Sequence, residues 1–149
     1  MWIAGCSWLN MLPRGIRNNN PLNIRIGNKW KGEVESPTDK DFEQFTCMHF
    51  GLRAGFILLR RYIERYHLDT IREIVSRWAP AKENDTRAYI EAVSARTGIG
   101  QNEKLSFDNR KQMCALVDAM ILQECGTTIA NDLIDEAYSI VICPNSLKI

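Results

Sequence analysis

The spacing of apolar residues changes once along this chain of 149 residues, and the change limits which folds are open to it. Near the start, Ile24 and Ile26 alternate with a polar neighbour, and the segment 41–45 (DFEQF) alternates again. From Phe50 onward, apolar residues recur every three or four positions, which is the period of a helix that buries one face. The sequence therefore predicts an α+β fold, mainly α, in which a small β-hairpin lobe precedes about five helices.

Residues typical of helix ends divide the region after Phe50 into separate helices. Gly27 and Asn28 favour a turn in the hairpin lobe. The longest predicted helix has a buried face that consists of Met113, Leu116, Val117, Met120 and Ile121. The predicted N-caps are Asp69 and Asp85, and the predicted helix stops are Pro80, Gly98 and Gly126.

The length suits one domain with one core. We expect an apolar N-terminal arm over residues 1–13 and a single domain over residues 14–149. No apolar run approaches the roughly 20 residues that cross a bilayer, so no membrane span is expected.

Five cysteines are scattered along the chain, and none forms a CxxC pair. Zinc sites use closely spaced ligands, so we expect no metal site and no cofactor. The start MWIAGC resembles a lipoprotein cleavage box that ends at Cys6, but it has neither a basic segment nor room for an apolar core. With no clear signal peptide, the chain is expected to be made in the cytoplasm.

Glu124 stands at the predicted end of the longest helix, just before Cys125 and Gly126. The negative end of the helix dipole disfavours a charged carboxylate there, and partial burial would raise the pKa of Glu124 further. A carboxylic acid that stays protonated near neutral pH is what a general acid requires. The alternative is a solvated acidic residue at a helix end, and the residue types alone favour that alternative.

Thr86 and Tyr89 lie three positions apart on the helix that begins after Asp85, so they share a face. A hydroxyl beside a phenol suits contact with a sugar. The alternative is a helix cap next to a half-buried tyrosine, and it is the better interpretation of these residues alone.

The stretch RNNNPLNIR, residues 17–25, is unusually rich in amides. Asn20 and Asn23 either cap turns or hydrogen-bond an uncharged ligand that carries hydroxyl and amide groups. Trp30, in the predicted hairpin, would add a stacking surface for such a ligand.

Several segments together resemble a family of small phage and prophage proteins over residues 14–126. Members of that family are often described as virion or structural proteins, so the resemblance by itself implies no activity. The segments that carry it are RGIRNNNPLNIR, WKG, DFEQF, GLRAGFILLRRYI and TIREIVSRWAPAKENDTRAYIEAV.

Three segments are also similar to parts of the lysozyme superfamily. NNPLNIR…WKG is similar to a hairpin of bacterial glucosaminidases, and DTRAYIEAV is similar to a segment of lytic transglycosylases in which the tyrosine lines the cleft. ILQECG is similar to the end of their catalytic helix, which in those enzymes precedes the hairpin. The resemblance implies a lysozyme-like helical domain in circularly permuted order. Leu22 and Cys125 depart from the glycine and the asparagine of related phage sequences.

The function that this resemblance implies is cleavage of peptidoglycan glycan strands, at the bacterial cell wall or periplasm or from a virion. Glu124 would protonate the glycosidic oxygen. Asp41 is the best candidate for the second carboxylate of a hydrolase, whereas a lytic transglycosylase would need none. The residues that would position sugars are Asn20, Asn23, Trp30, Thr86 and Tyr89.

Two other classes stay open. One is a non-catalytic virion structural or glycan-binding protein on a lysozyme-like fold, with other virion or secretion components as partners. The other is nucleic-acid binding, but the formal net charge of +1 argues against it, so no nucleic-acid partner is expected. The cations that suggest it are Arg14, Arg17, Arg25, Lys29 and Lys31.

Overall fold

The computed structural model describes residues 11–82 and 84–144, and these residues are mainly helical. Most of the predicted N-terminal arm, including Cys6, therefore lies outside the described residues. The helix Met48–Arg60 continues into a π-helical turn at Arg61–Arg65. The helices are α1 (Arg14–Arg17), α2 (Met48–Arg60), α3 (Ile71–Trp78), α4 (Thr86–Thr97), α5 (Arg110–Cys125) and α6 (Asn131–Ile142).

The helix ends follow the predicted chemistry with one exception. The Asp85 side chain accepts a hydrogen bond from the backbone N–H of Ala88, and Gly98 and Gly126 adopt the left-handed conformation after α4 and α5. The exception is α3, where Thr70 is the N-cap instead of Asp69. Asp69 instead forms an ion pair with Lys104 at 2.9 Å.

The predicted β-hairpin is not confirmed. In the described residues, two isolated antiparallel bridges, Arg25–Phe42 and Glu33–Phe45, stand in place of strands. Asn23 and Gly32 have positive φ angles, which interrupt an extended ladder. The lobe over residues 18–47 is therefore a set of loops.

Amide side chains hold these loops together. The buried Asn20 donates from Nδ2 to the carbonyls of Ile24 and Glu43 at 2.9 and 3.0 Å, and its Oδ1 accepts from the N–H of Ile24. Asn19 donates to the carbonyl of Phe45 at 3.0 Å. These bonds satisfy backbone groups that a strand partner would otherwise satisfy.

The core of the described residues is one cluster of buried side chains, to which the loop region and helices α2 to α6 contribute. Helix α6 packs against α2 and α5, and α5 also packs against α4. Leu22 is fully buried, and its Cδ1 occupies the space beside Gly55 on α2. This contact anchors the asparagine-rich segment against α2.

No helix in the described ranges has both the length and the apolar content needed to cross a bilayer.

Candidate functional site

The carboxyl group of Glu124 lies at the C-terminal end of α5 between two hydrogen-bond donors. Asn23 donates from Nδ2 to Oε1 at 3.1 Å, and the Tyr89 hydroxyl donates to Oε2 at 3.0 Å. The asparagine-rich segment, α4 and the end of α5 thus meet at one carboxyl group.

Asn23 also stabilises the end of α5. Its Nδ2 lies 3.3 Å from the backbone carbonyl of Glu124, one of the carbonyls that the helix leaves without an internal partner. Asn23 adopts a left-handed conformation with φ of 50°, which asparagine tolerates better than most residues. One amide therefore orients both the backbone and the side chain of Glu124.

Burial dominates the electrostatics of this group. Desolvation raises the pKa of Glu124, and the hydrogen bonds from Asn23 and Tyr89 and the charge of Arg25 lower it in part. Desolvation and the neighbouring Glu124 raise the pKa of Tyr89 well above its usual value, so the phenol stays a neutral donor. Burial therefore shifts the Glu124 carboxyl group towards its protonated form, beside a phenol that stays neutral.

Glu124 opens into a groove of about 460 Å³ between the loop region and the helices. Its lining is mixed: aromatic and aliphatic surfaces alternate with amides and arginines. Among the described lining residues, Glu124 is the one carboxylate. They are Asn23, Ile24, Arg25, Asn28, Phe42, Leu58, Tyr62, Arg77, Trp78, Ala79, Pro80, Asn84 and Glu124.

No family model matches the chain. Protein P5 of Pseudoalteromonas phage PM2 is 45% identical to it over 123 residues, which make up 80% of this chain and 75% of that protein. The chain belongs to the family of Protein P5. The predicted resemblance to phage proteins is confirmed at this level, and the name of Protein P5 states no activity.

The other predicted sugar-positioning residues of this Protein P5 family member lie outside the groove lining. Asn20 is fully buried and bonded to backbone. Trp30 is half-buried and packs against the core. Thr86 donates to the carbonyl of Ala79 at 2.5 Å, which ties the start of α4 to the end of α3. Tyr89 is buried, and its hydroxyl bonds to Glu124 from behind the lining. A sugar-binding role for all five predicted residues stays a prediction.

Asp41 lies in a different, larger groove of about 580 Å³. Its carboxylate accepts a hydrogen bond from Arg14 at 3.1 Å. Its neighbour Phe42 lines the Glu124 groove instead, because consecutive residues of extended chain point to opposite sides. Asp39 also lines that second groove, and the Arg14 guanidinium holds the pKa of Asp39 well below the usual range.

Sequence reasoning missed the aromatic wall of the Glu124 groove. The rings of Tyr62 and Trp78 meet edge to face with centroids 5.7 Å apart, and the indole N–H of Trp78 donates to the carbonyl of Leu22 at 3.2 Å. The phage-like segment RWAP contains Trp78, so the signal was present in the motif. Tyr62 lies in the π-helical turn, where helical periodicity does not predict which face it shares.

Cys125, the predicted departure from the related phage pattern, does not line the groove. Its Sγ lies 3.2 Å from the carbonyl of Pro21, and burial raises the pKa of the thiol to about 11. Such a thiol is a packing group, because a reactive cysteine needs the thiolate form.

The described residues contain no group of three or more His, Cys, Asp or Glu side chains placed to hold a metal ion.

Proposed function

We propose that this member of the Protein P5 family cleaves the glycan strands of peptidoglycan, with Glu124 as the general acid. The observation that supports it is the half-buried Glu124 carboxyl group, held by Asn23 and Tyr89 and open to a groove with aromatic walls. A raised carboxyl pKa beside a groove of this size is a pattern typical of catalytic acids. The lysozyme-like fold in permuted order is part of the same proposal.

The chemical step uses Glu124 twice. It first gives its proton to the glycosidic oxygen, so that the bond from that oxygen to C1 breaks. The acetamido oxygen of the same sugar attacks C1 and holds the charge. An oxygen nucleophile then bonds to C1 as the bond from C1 to the acetamido oxygen breaks, and the Glu124 carboxylate takes the proton of that nucleophile. Water as the nucleophile gives a hydrolysed end, and the sugar's own C6 hydroxyl gives an anhydro end.

Asn23 serves both protonation states of Glu124 in this proposal. Its amide N–H donates to the carboxylate, as in the structure. Its Oδ1 is buried without a hydrogen-bond partner. Rotation of the amide by half a turn places that oxygen where it accepts the proton of a neutral carboxyl group, and it breaks the bond from Nδ2 to the Glu124 backbone carbonyl.

A phage context supports a cell-wall substrate, because a phage has to cross the wall of its host. The relative comes from a phage. We propose that the protein reaches the wall or periplasm from the virion or after synthesis in the host cytoplasm, with other virion components as partners.

Glu124→Gln tests the proposal, because it keeps the hydrogen bonds possible and removes the acid. We expect clearing of purified cell walls to fall at least about 100-fold, the range in which loss of a general acid acts. The matched control is Glu91→Gln, an exposed glutamate on α4 that pairs with Arg87. Clearing by E124Q at the parent rate, with both variants folded by circular dichroism, would contradict the assignment.

A second candidate function is a glycan-binding virion component without catalysis. The observation that favours it is the single carboxylate among the described lining residues, since many glycosidases need two. Co-sedimentation with insoluble peptidoglycan, followed by mass spectrometry of the supernatant, separates the two. Binding without released fragments supports this second function, and the ends of any fragments distinguish hydrolysis from anhydro-sugar formation.

A further inference from the structure

Arg77 is an exposed cation held on an aromatic surface at the groove. Its guanidinium carbon lies 5.4 Å from the ring centroid of Tyr62 and 4.9 Å from that of Tyr66. Arg77 forms no ion pair with a carboxylate of the described residues, although it lines the groove that Glu124 opens into. Its charge is therefore available to a ligand.

The stacking prepares Arg77 to recognise a carboxylate. Contact with two aromatic rings limits the positions open to the guanidinium, so less side-chain entropy is lost when a ligand binds. The N–H groups on the edge of the guanidinium form a planar fork that matches the two oxygens of a carboxylate. A flexible surface arginine would lack this preorganisation.

Arg77 has the position in the groove that such a ligand needs. It lines the groove together with Glu124, the one carboxylate among the described lining residues, and does not pair with it. A neutral sugar polymer would make no use of this charge, whereas a sugar that bears a carboxylate would.

We propose that Arg77 makes the groove selective for glycans that carry a carboxylate, over neutral glycans of the same sugar backbone. The inference rests on the proposed function, since it concerns the ligand of the same groove. In peptidoglycan the carboxylate belongs either to the lactyl group of the muramic sugar or to its peptide stem. Arg77 binds that group while Tyr62 and Trp78 contact the sugar rings.

The experiment measures binding of three soluble ligands to the full chain carrying Glu124→Gln, so that no ligand is cut. They are peptidoglycan strands with their stems, strands stripped of stems by an amidase, and neutral oligomers of N-acetylglucosamine. Arg77→Gln is added to this chain. The matched control is Arg65→Gln, which removes an exposed arginine stacked on Tyr66 that does not line the groove.

We expect Arg77→Gln to weaken binding of the acidic strands about tenfold or more, and to leave the neutral oligomer unchanged. Arg65→Gln should change none of the three affinities. A loss restricted to strands with stems assigns the stem carboxylates, and a loss restricted to stripped strands assigns the lactyl carboxylate, which is bound as an amide while the stem is present. A loss in both shows that Arg77 binds either carboxylate. Equal losses for neutral and acidic ligands, equal losses in the two arginine variants, or no binding of any ligand would overturn the proposal.

Failure of the proposed function is scored separately, by the release of fragments from the parent chain. Selective binding through Arg77 without any fragments would retain the inference for a glycan-binding protein. Fragments without an Arg77 effect would retain the enzyme and reject the selectivity.

Discussion

At the scale of the residue, an ordinary glutamate acquires unusual chemistry from partners that are distant in the sequence. Asn23 lies 101 positions before Glu124, and Tyr89 lies 35 positions before it. The sequence predicted that Glu124 lies at a helix end, and that position indicated a raised pKa for its carboxyl group. The sequence did not predict which residues donate hydrogen bonds to Glu124, because partners across such separations depend on how the helices pack.

The asparagine-rich stretch shows the same limit. Asn18, Asn19 and Asn20 hold loops together, and Asn23 alone of these four reaches Glu124. The residue type predicted turn capping and ligand contact equally well, since an amide offers the same donors and acceptors to either partner. Burial separates the two roles, and burial is a property of the fold.

Tyr89→Phe is expected to raise the pKa of Glu124. The hydrogen bond from Tyr89 stabilises the charged carboxylate and so lowers the pKa of Glu124. Without this bond, less of the increase in pKa caused by burial is offset. The carboxyl group then stays protonated to higher pH, and any pH–rate profile that depends on it shifts upward. Carbon-13 NMR titration of the Glu124 carboxyl measures the shift directly.

The control for this titration is Tyr66→Phe, which changes an exposed tyrosine outside the groove lining. It should leave the Glu124 titration unchanged. A lowered pKa in Tyr89→Phe would contradict the argument.

At the scale of the element, the sequence predicted most of the helices but not the structure of the loop lobe. The predicted ends at Asp85, Gly98 and Gly126 are confirmed, because capping depends on local chemistry. Thr70 replaced Asp69 as the cap of α3, since both residue types can cap and tertiary contact with Lys104 holds Asp69 elsewhere. Alternating residues in the lobe favoured strands, but side-chain amides bind its backbone instead.

Gly51 on α2 offers a test of how closely the loop lobe packs. A Cβ built at this position would overlap the carbonyl oxygen of Asn19, a backbone atom that cannot move without the whole turn. Glycine to alanine inside a helix normally stabilises, by about 1 kcal/mol. Here we expect Gly51→Ala to lower the free energy of unfolding by about 1–3 kcal/mol, because overpacking outweighs the helix preference.

Urea denaturation measures this change. Ser76→Ala, an exposed position on α3, is the control and should change the free energy of unfolding by less than about 0.5 kcal/mol. An increase in stability for Gly51→Ala would show that the asparagine turn lies farther from α2 than in this structure.

At the scale of the whole molecule, one cluster of buried side chains joins the helices and the loop lobe. Tyr138 on α6 is central to it. The centroid of its ring lies 5.6 Å from the ring centroids of both Phe56 on α2 and Phe107 before α5. Its hydroxyl donates to the carbonyl of Phe107 at 2.8 Å. These contacts connect the last helix to the rest of the described chain, while residues 14–149 as a single domain stay a prediction.

Tyr138→Ala is expected to lower the free energy of unfolding by about 3–5 kcal/mol, because it leaves a large cavity and an unpaired carbonyl. Denaturant unfolding followed by circular dichroism measures the loss. Tyr66→Ala, at an exposed tyrosine, should cost less than about 1 kcal/mol. Similar losses for the two variants would mean that Tyr138 does not hold the core together.

The sequence by itself determined the period of the apolar residues, the ends of most helices and the position of Glu124 at a helix end. Each of these depends on interactions within a few residues, which the order of amino acids specifies directly. Only the tertiary structure decided that Asn23 and Tyr89 bond to Glu124, that Asp41 faces a different groove, and that Tyr62 and Trp78 form a wall. Those facts depend on which surfaces pack together, and many packings share the same local pattern.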